Sequence, residues 1–255
     1  MVSHYNTINW FATFLVLVYH LCHIKRKKML LSAPSEAARQ HFQTERQKWG
    51  AKLFASAGFW ATTEICILFL VQCGFALFFN KLFNTIFDTG LNYFGTLFLV
   101  PPIILALCAL VKIDPLAQLD LITPSFPLTL TVAKIACVPA GCCQGMVWEQ
   151  GIYNPFSRQI EFPSPLLESG VALVLFVVLF SFRKKFKKGT IFPVYLMAYS
   201  AIRFFTEFLR GEPNVLWGLK AYHFFCIVGV ILGAAEYLAV LKYNTNVQKK
   251  KIKKK

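Results

Sequence analysis

Hydrophobic residues in this chain come as unbroken blocks, with the polar residues gathered between them. Seven blocks reach or approach the roughly 17–25 residues that cross a bilayer as a helix. They are Ile8–His23, Leu53–Phe79, Tyr93–Val111, Leu128–Cys143, Pro165–Phe182, Ile191–Phe208 and Leu219–Leu241. A soluble amphipathic helix would show one apolar stripe with a polar face opposite, and the strands of a membrane barrel would alternate with period two. These blocks do neither. Lipid offers no partner to backbone N–H and C=O groups, so helices are the structure that remains. The predicted fold class is an all-α polytopic membrane protein, a seven-transmembrane-helix bundle. Residues 1–241 form a single transmembrane domain and 242–255 a Lys-rich tail.

Composition supports the same class, with 56% apolar and 15% charged residues. Charge then sets direction. Lys25, Arg26, Lys27, Lys28, Arg39, Arg46, Lys48 and Lys52 follow the first span, five basic residues fill Arg183–Lys188, and seven follow Leu241. The opposite loops hold Lys81, Arg158 and Arg210. Basic loops stay cytoplasmic, so the N-terminus is expected outside and the C-terminus in the cytoplasm. The Lys112–Pro127 segment reads as a cytoplasmic loop with few charges to mark it. The net charge of +15 then belongs beside anionic lipid heads, and calls for no nucleic acid. Ile8–His23 has its basic residues after the apolar run, unlike a signal peptide, and reads as a retained helix.

Cys22, Cys66, Cys73, Cys108 and Cys226 are scattered along apolar spans, where Cys serves as a small packing residue. No cysteine spacing resembles a zinc site, and no metal is expected. Pro101-Pro102 interrupts the third span and Pro139 the fourth, which suggests either a cavity or simple packing kinks.

Ionisable residues inside spans are costly and mark either function or paired structure. Here they are Glu64, Lys134, Arg203, Glu207 and Glu236, with Glu168 and Arg210 near span ends. Tyr199, Arg203, Glu207 and Arg210 fall within about 80° of one helical face. Arginine stays charged and grips phosphate through two parallel hydrogen bonds, so this face suits a lipid phosphate. The alternative is a structural Arg203–Glu207 salt bridge. Lys134 either neutralises a lipid phosphate or pairs with Glu64.

These motifs resemble the prolipoprotein diacylglyceryl transferases, most of all divergent members with a Gly-Cys-Cys-x-Gly motif. Tyr199-Ser-Ala-Ile-Arg203-Phe204-Phe-Thr-Glu207-Phe-Leu-Arg210 follows the family's Tyr-x-x-x-Arg-Phe-x-x-Glu-x-x-Arg pattern. Glu212-Pro213-Asn214 and Gly218-Leu219 follow in the family's order, and Gly141-Cys142-Cys143-Gln-Gly145 closes the fourth span. Phe162-Pro163-Ser164 with Glu168 falls where the family has a His-Pro segment ending in Glu. There are departures. Ala133-Lys134-Ile135-Ala136-Cys137 stands in place of Gly-Arg-x-Gly-Asn, Cys142 in place of an acid, and Phe94-Gly95-Thr96 in place of His-Gly-Gly.

The resemblance implies an enzyme of the bacterial inner membrane, multi-pass. It would move the diacylglyceryl group of phosphatidylglycerol, or a similar anionic phospholipid, onto the lipobox cysteine of a prolipoprotein signal peptide. No cofactor is implied. Arg203, Glu207, Arg210 and His223 become the candidate catalytic residues, His223 standing where many members carry Gln. It is either a base or a hydrogen-bonded surface group. Lys134, Tyr199, Gly141, Cys142, Gly145 and Glu168 become candidate substrate-binding residues. The other readings are a paralogue that binds phospholipid or modifies another acceptor, and a non-enzymatic scaffold or transporter. A transporter would be expected to show a repeat between its halves, and none is visible.

Overall fold

The computed structural model describes residues 93–110, 114–143, 145–154, 156–211 and 216–252, with Val18 alone before them. The span expected at Leu53–Phe79, most of the one at Ile8–His23, and Glu64, Lys81 and Glu212-Pro213-Asn214 lie outside the described residues. The elements are α1 (Tyr93–Leu110), α2 (Pro115–Ile122), α3 (Ser125–Ala140), β1 (Val147–Asn154), β2 (Gln159–Glu161), α4 (Ser164–Phe182), α5 (Ile191–Glu207) and α6 (Ala221–Ile252). They belong to two compact units, α1 and α2 in one and everything from Thr123 onward in the other.

In the first unit, Pro101 and Pro102 lie inside α1 and leave it continuous. The segment expected as the loop Lys112–Pro127 instead contains α2, whose turn is started by the Asp114 carboxylate accepting the Ala117 N–H. Leu116, Leu119, Leu121 and Ile122 are apolar enough to continue the run into α3. Three described stretches are long and apolar enough to cross a membrane: Pro115–Ala140, Ser164–Phe182 and Ala221–Val247. The described residues are thus mostly helical and include three helices long and apolar enough to span a membrane, as in an α-helical membrane protein.

In the second unit α3 packs on α4, α4 on α5, and α5 on α6. Each helix buries one stripe. On α5 the buried residues include Phe192, Tyr195, Leu196, Tyr199, Ser200, Arg203 and Glu207, an i, i+3/i+4 progression. On α4 it is Pro165, Glu168, Ser169, Ala172, Leu175 and Leu179. The other faces of α4 and α6 expose Leu173, Val174, Val177, Val178, Ile227, Ile231 and Leu238, an arrangement that suits lipid rather than water. Ser169 Oγ donates to Thr131 O at 2.9 Å and so stitches α4 to α3. Gly233 lets α6 approach α5 closely, since a Cβ there would lie 2.7 Å from Met197 Cγ.

Between α3 and α4 lies a feature the all-α expectation did not contain. β1 and β2 form an antiparallel hairpin, pairing Tyr153 with Ile160 and Asn154 with Gln159. Arg158 turns the corner with φ 57°. Asn154 Nδ2 donates to Glu161 at 3.0 Å, and Asn154 Oδ1 accepts from the Phe156 N–H. α6 also runs past the expected end of its span, to Ile252.

Candidate functional site

α3, α4 and α5 bring one acid and three bases together from positions far apart in sequence. Glu168 sits on the buried stripe of α4, and its carboxylate receives Lys134 Nζ at 2.7 Å, Arg203 NH1 at 2.7 Å and Arg210 NH1 at 3.0 Å. The second guanidinium nitrogen of Arg203 meets Glu207 at 2.6 Å, one turn further along α5. Arg203 also lies over the Tyr222 ring, 5.4 Å from its centre. All of this is buried: Glu168, Arg203, Glu207 and Arg210 are each under a tenth exposed. Lys134, Glu168, Arg203, Glu207 and Arg210 sum to three positive and two negative charges.

Arg210 reaches this centre by a different route from the one expected. α5 ends at Glu207, so the shared helical face holds for Tyr199, Arg203 and Glu207 only. A turn carries the chain onward, and Arg210 joins the group because its backbone pairs with Gly145 in an isolated bridge. Met146 N donates to Leu209 O at 2.9 Å beside it. Gly145 has no room for a side chain: a Cβ would stand 2.1 Å from Phe162 O. Gly141 ends α3 in the left-handed conformation, φ 62°, and a Cβ there would strike Phe156 at 2.1 Å.

The remaining candidates fall around this centre. Tyr199 is buried beside Tyr195, ring centres 6.0 Å apart. Cys142 is exposed, its sulfur 3.7 Å from Cys137 O. Lys134 takes Glu168 as its carboxylate, and also lies 3.5 Å from Cys143 Sγ. His223 is fully buried rather than at the surface, with Phe204 and Phe208 against its ring at 4.8 and 4.4 Å. Its Nδ1 accepts the Lys220 N–H at 2.9 Å, so a neutral ring holds its proton on Nε2.

Two participants went unrecognised in the sequence. Lys220 turns its ammonium onto the C-terminal carbonyls of α5, donating to Glu207 O at 2.8 Å and Arg210 O at 2.5 Å. Helix C-termini leave such carbonyls unpaired and favour a cation. The available signal was a lysine opening an apolar span on the side otherwise poor in basic residues. The second is Cys137, whose sulfur lies 3.7 Å from that of Cys143. The sulfurs of Cys137, Cys142 and Cys143 all fall within 4.8 Å of one another.

Arg203 and Arg210 are held in ion pairs, and a cavity among the described residues is lined by Cys137, Gly141, Cys142, Gly145, Asn154, Glu161 and Pro163 among others.

The family model described as "Prolipoprotein diacylglyceryl transferase" matches residues 8–239. Over 152 residues the chain is 32% identical to phosphatidylglycerol–prolipoprotein diacylglyceryl transferase 2 of Clostridium perfringens, covering 56% of this chain and 57% of that protein. It is 33% identical over 130 residues to the phosphatidylglycerol–prolipoprotein diacylglyceryl transferase of Clostridium tetani, covering 47% and 52%. The similarly named protein of Ehrlichia canis is 33% identical over 164 residues, covering 58% and 62%. The chain spans about half the length of the curated relatives it matches.

Proposed function

Because the chain belongs to the prolipoprotein diacylglyceryl transferase family, we propose that it moves a diacylglyceryl group from phosphatidylglycerol to the lipobox cysteine of a prolipoprotein. The bundle then has seven spans in a bacterial inner membrane, N-terminus outside. The observation that carries the reading is the gathering of Lys134, Arg203 and Arg210 on the one Glu168 carboxylate, a group of cations that suits an anionic head group.

In the reaction the substrate thiolate attacks the glyceryl carbon. A C–S bond forms, the C–O bond to phosphate breaks, and glycerol phosphate leaves with the electron pair. Arg203 and Arg210 stabilise the charge that collects on the departing phosphate, which is the largest contribution such a clamp makes. Lys134 contributes its charge without the planar fork. Phosphate arriving on Arg203 displaces Glu207 from that guanidinium. Glu207 then takes the thiol proton. His223 and Lys220 act as positioning residues, holding the carbonyl end of α5 so that Arg203 and Arg210 stay beside Glu168.

The test is transfer of labelled diacylglyceryl from phosphatidylglycerol vesicles to a lipobox peptide. Arg203→Ala should lower the rate by about 10²–10³-fold, the loss seen when one charge-stabilising donor is removed, with Arg203→Lys in between. An Arg203→Ala protein as fast as the parent would defeat the reading.

A further inference from the structure

The three clustered sulfurs play no part in the transfer just described, and their arrangement is not that of packing residues. Cys108 and Cys226 are buried in their helices, whereas Cys137, Cys142 and Cys143 converge at the C-terminal end of α3. We propose that these three cysteines form a binding site for one thiophilic d¹⁰ cation, Cu(I) or Zn²⁺, adjoining the Lys134–Glu168 pair.

The backbone is bent to make the convergence. Gly141 adopts φ 62° and Cys143 φ 59°, two left-handed residues flanking Cys142. That conformation is unfavourable for a residue with a Cβ, costing of order 1–3 kcal/mol when the surroundings impose it. Its result is to fold the Cys143 side chain back toward Cys137, with sulfurs 3.7 Å apart. Zn–S bonds of about 2.3 Å in a tetrahedral site put neighbouring sulfurs roughly 3.8 Å apart, so this pair already stands at ligand spacing. Cys142 Sγ, within 4.8 Å of both, completes the set by side-chain rotation.

The electrostatics suit a cation bound by thiolates. The end of α3 presents carbonyls, and the helix dipole there favours positive charge. Three thiolates around Cu(I) or Zn²⁺ leave net negative charge, and Lys134 Nζ, 3.5 Å from Cys143 Sγ, offsets it. Sulfur-only donors select soft metals over Mg²⁺ or Ca²⁺. Access is available, because Cys142 is exposed. A cavity of about 60 Å³ also reaches Cys137, Cys142, Asn154 and Glu161, leaving room for water or an oxygen donor in a fourth position. Binding involves no electron transfer: the thiol protons pass to solvent as the metal enters.

The test titrates the full chain in micelles, reduced and under argon, with Zn²⁺ against a chromophoric chelator and separately with Cu(I) as its bicinchoninate complex. One equivalent of at least one ion should be retained per chain. In Cys137→Ser/Cys143→Ser the affinity should fall by more than the roughly 100-fold that changes outside the ligand shell reach. Cys142→Ser, whose exposed side chain is a mild change for folding, should weaken binding while the helical circular dichroism stays that of the parent. Cys226→Ser should bind as the parent does. Equal binding by the double variant, or release of both ions by the parent to the chelator, would overturn the proposal.

Discussion

Replacing Glu168 by Gln preserves volume and removes one negative charge from beneath three cations. In the parent the carboxylate lies 2.7, 2.7 and 3.0 Å from Lys134, Arg203 and Arg210. With three cations and two carboxylates, the cluster formed by these residues and Glu207 carries +1, and in Glu168→Gln it carries +2. An amide oxygen still accepts one hydrogen bond but holds no ion. Breaking a buried pair from one side costs about 3–5 kcal/mol, since the other partner is left uncompensated. For a domain of this size that corresponds to a melting point lower by roughly 6–20 °C. Tryptophan fluorescence during heating in a neutral detergent reads the change. Adding phosphatidylglycerol should recover part of the loss, because the anion supplies the charge that the amide lacks, and phosphatidylcholine should recover none. A variant melting within about 2 °C of the parent, with or without lipid, would show that Glu168 does not organise these cations.

Two further substitutions test the frame around the site. Lys220→Met should lower the melting point, through the roughly 1–2 kcal/mol that a buried cation contributes at a helix C-terminus, and should slow transfer without altering the peptide KM; unchanged stability would remove Lys220 from its capping role. Gly145→Ala places a methyl group 2.1 Å from Phe162 O and should cost at least the roughly 1–3 kcal/mol typical of overpacking. Loss of transferase activity should accompany it, because Arg210 is paired to that backbone; full activity in labelled-lipid transfer would show the bridge to be dispensable.

What could be seen in the sequence follows from the distance over which each signal acts. Continuous apolarity marked α4 and α6 as helices long enough to cross a membrane, because lipid exposure acts along a whole stretch. The Arg203–Glu207 pair was visible because it is one helical turn long. Glu168 was visible as a charge but not as the common partner of Lys134, Arg203 and Arg210, since that depends on how α3, α4 and α5 pack. α2 was read as loop because its short apolar run merges with α3 across Thr123-Pro124. The hairpin escaped because β2 is three residues long, too short to show alternation. The convergence of Cys137, Cys142 and Cys143 was not visible because spacing alone does not reveal the left-handed turn at Cys143.

The Glu168 junction also bears on how the chain is assembled. A lone charge at the centre of a helix entering the bilayer costs about 2.5–3.5 kcal/mol on insertion scales. Lys134 and Glu168 lie on successive helices, α3 and α4, joined by the short hairpin, so the two can enter as a nearly neutral pair. α5 follows with Arg203 and Glu207 already cancelling one another. Each stage of synthesis hands the translocation machinery a segment whose charges are already matched. Arg210 comes last and sits beyond the helix end, where a charge is the least costly to deliver, and it joins Glu168 once α4 is in place.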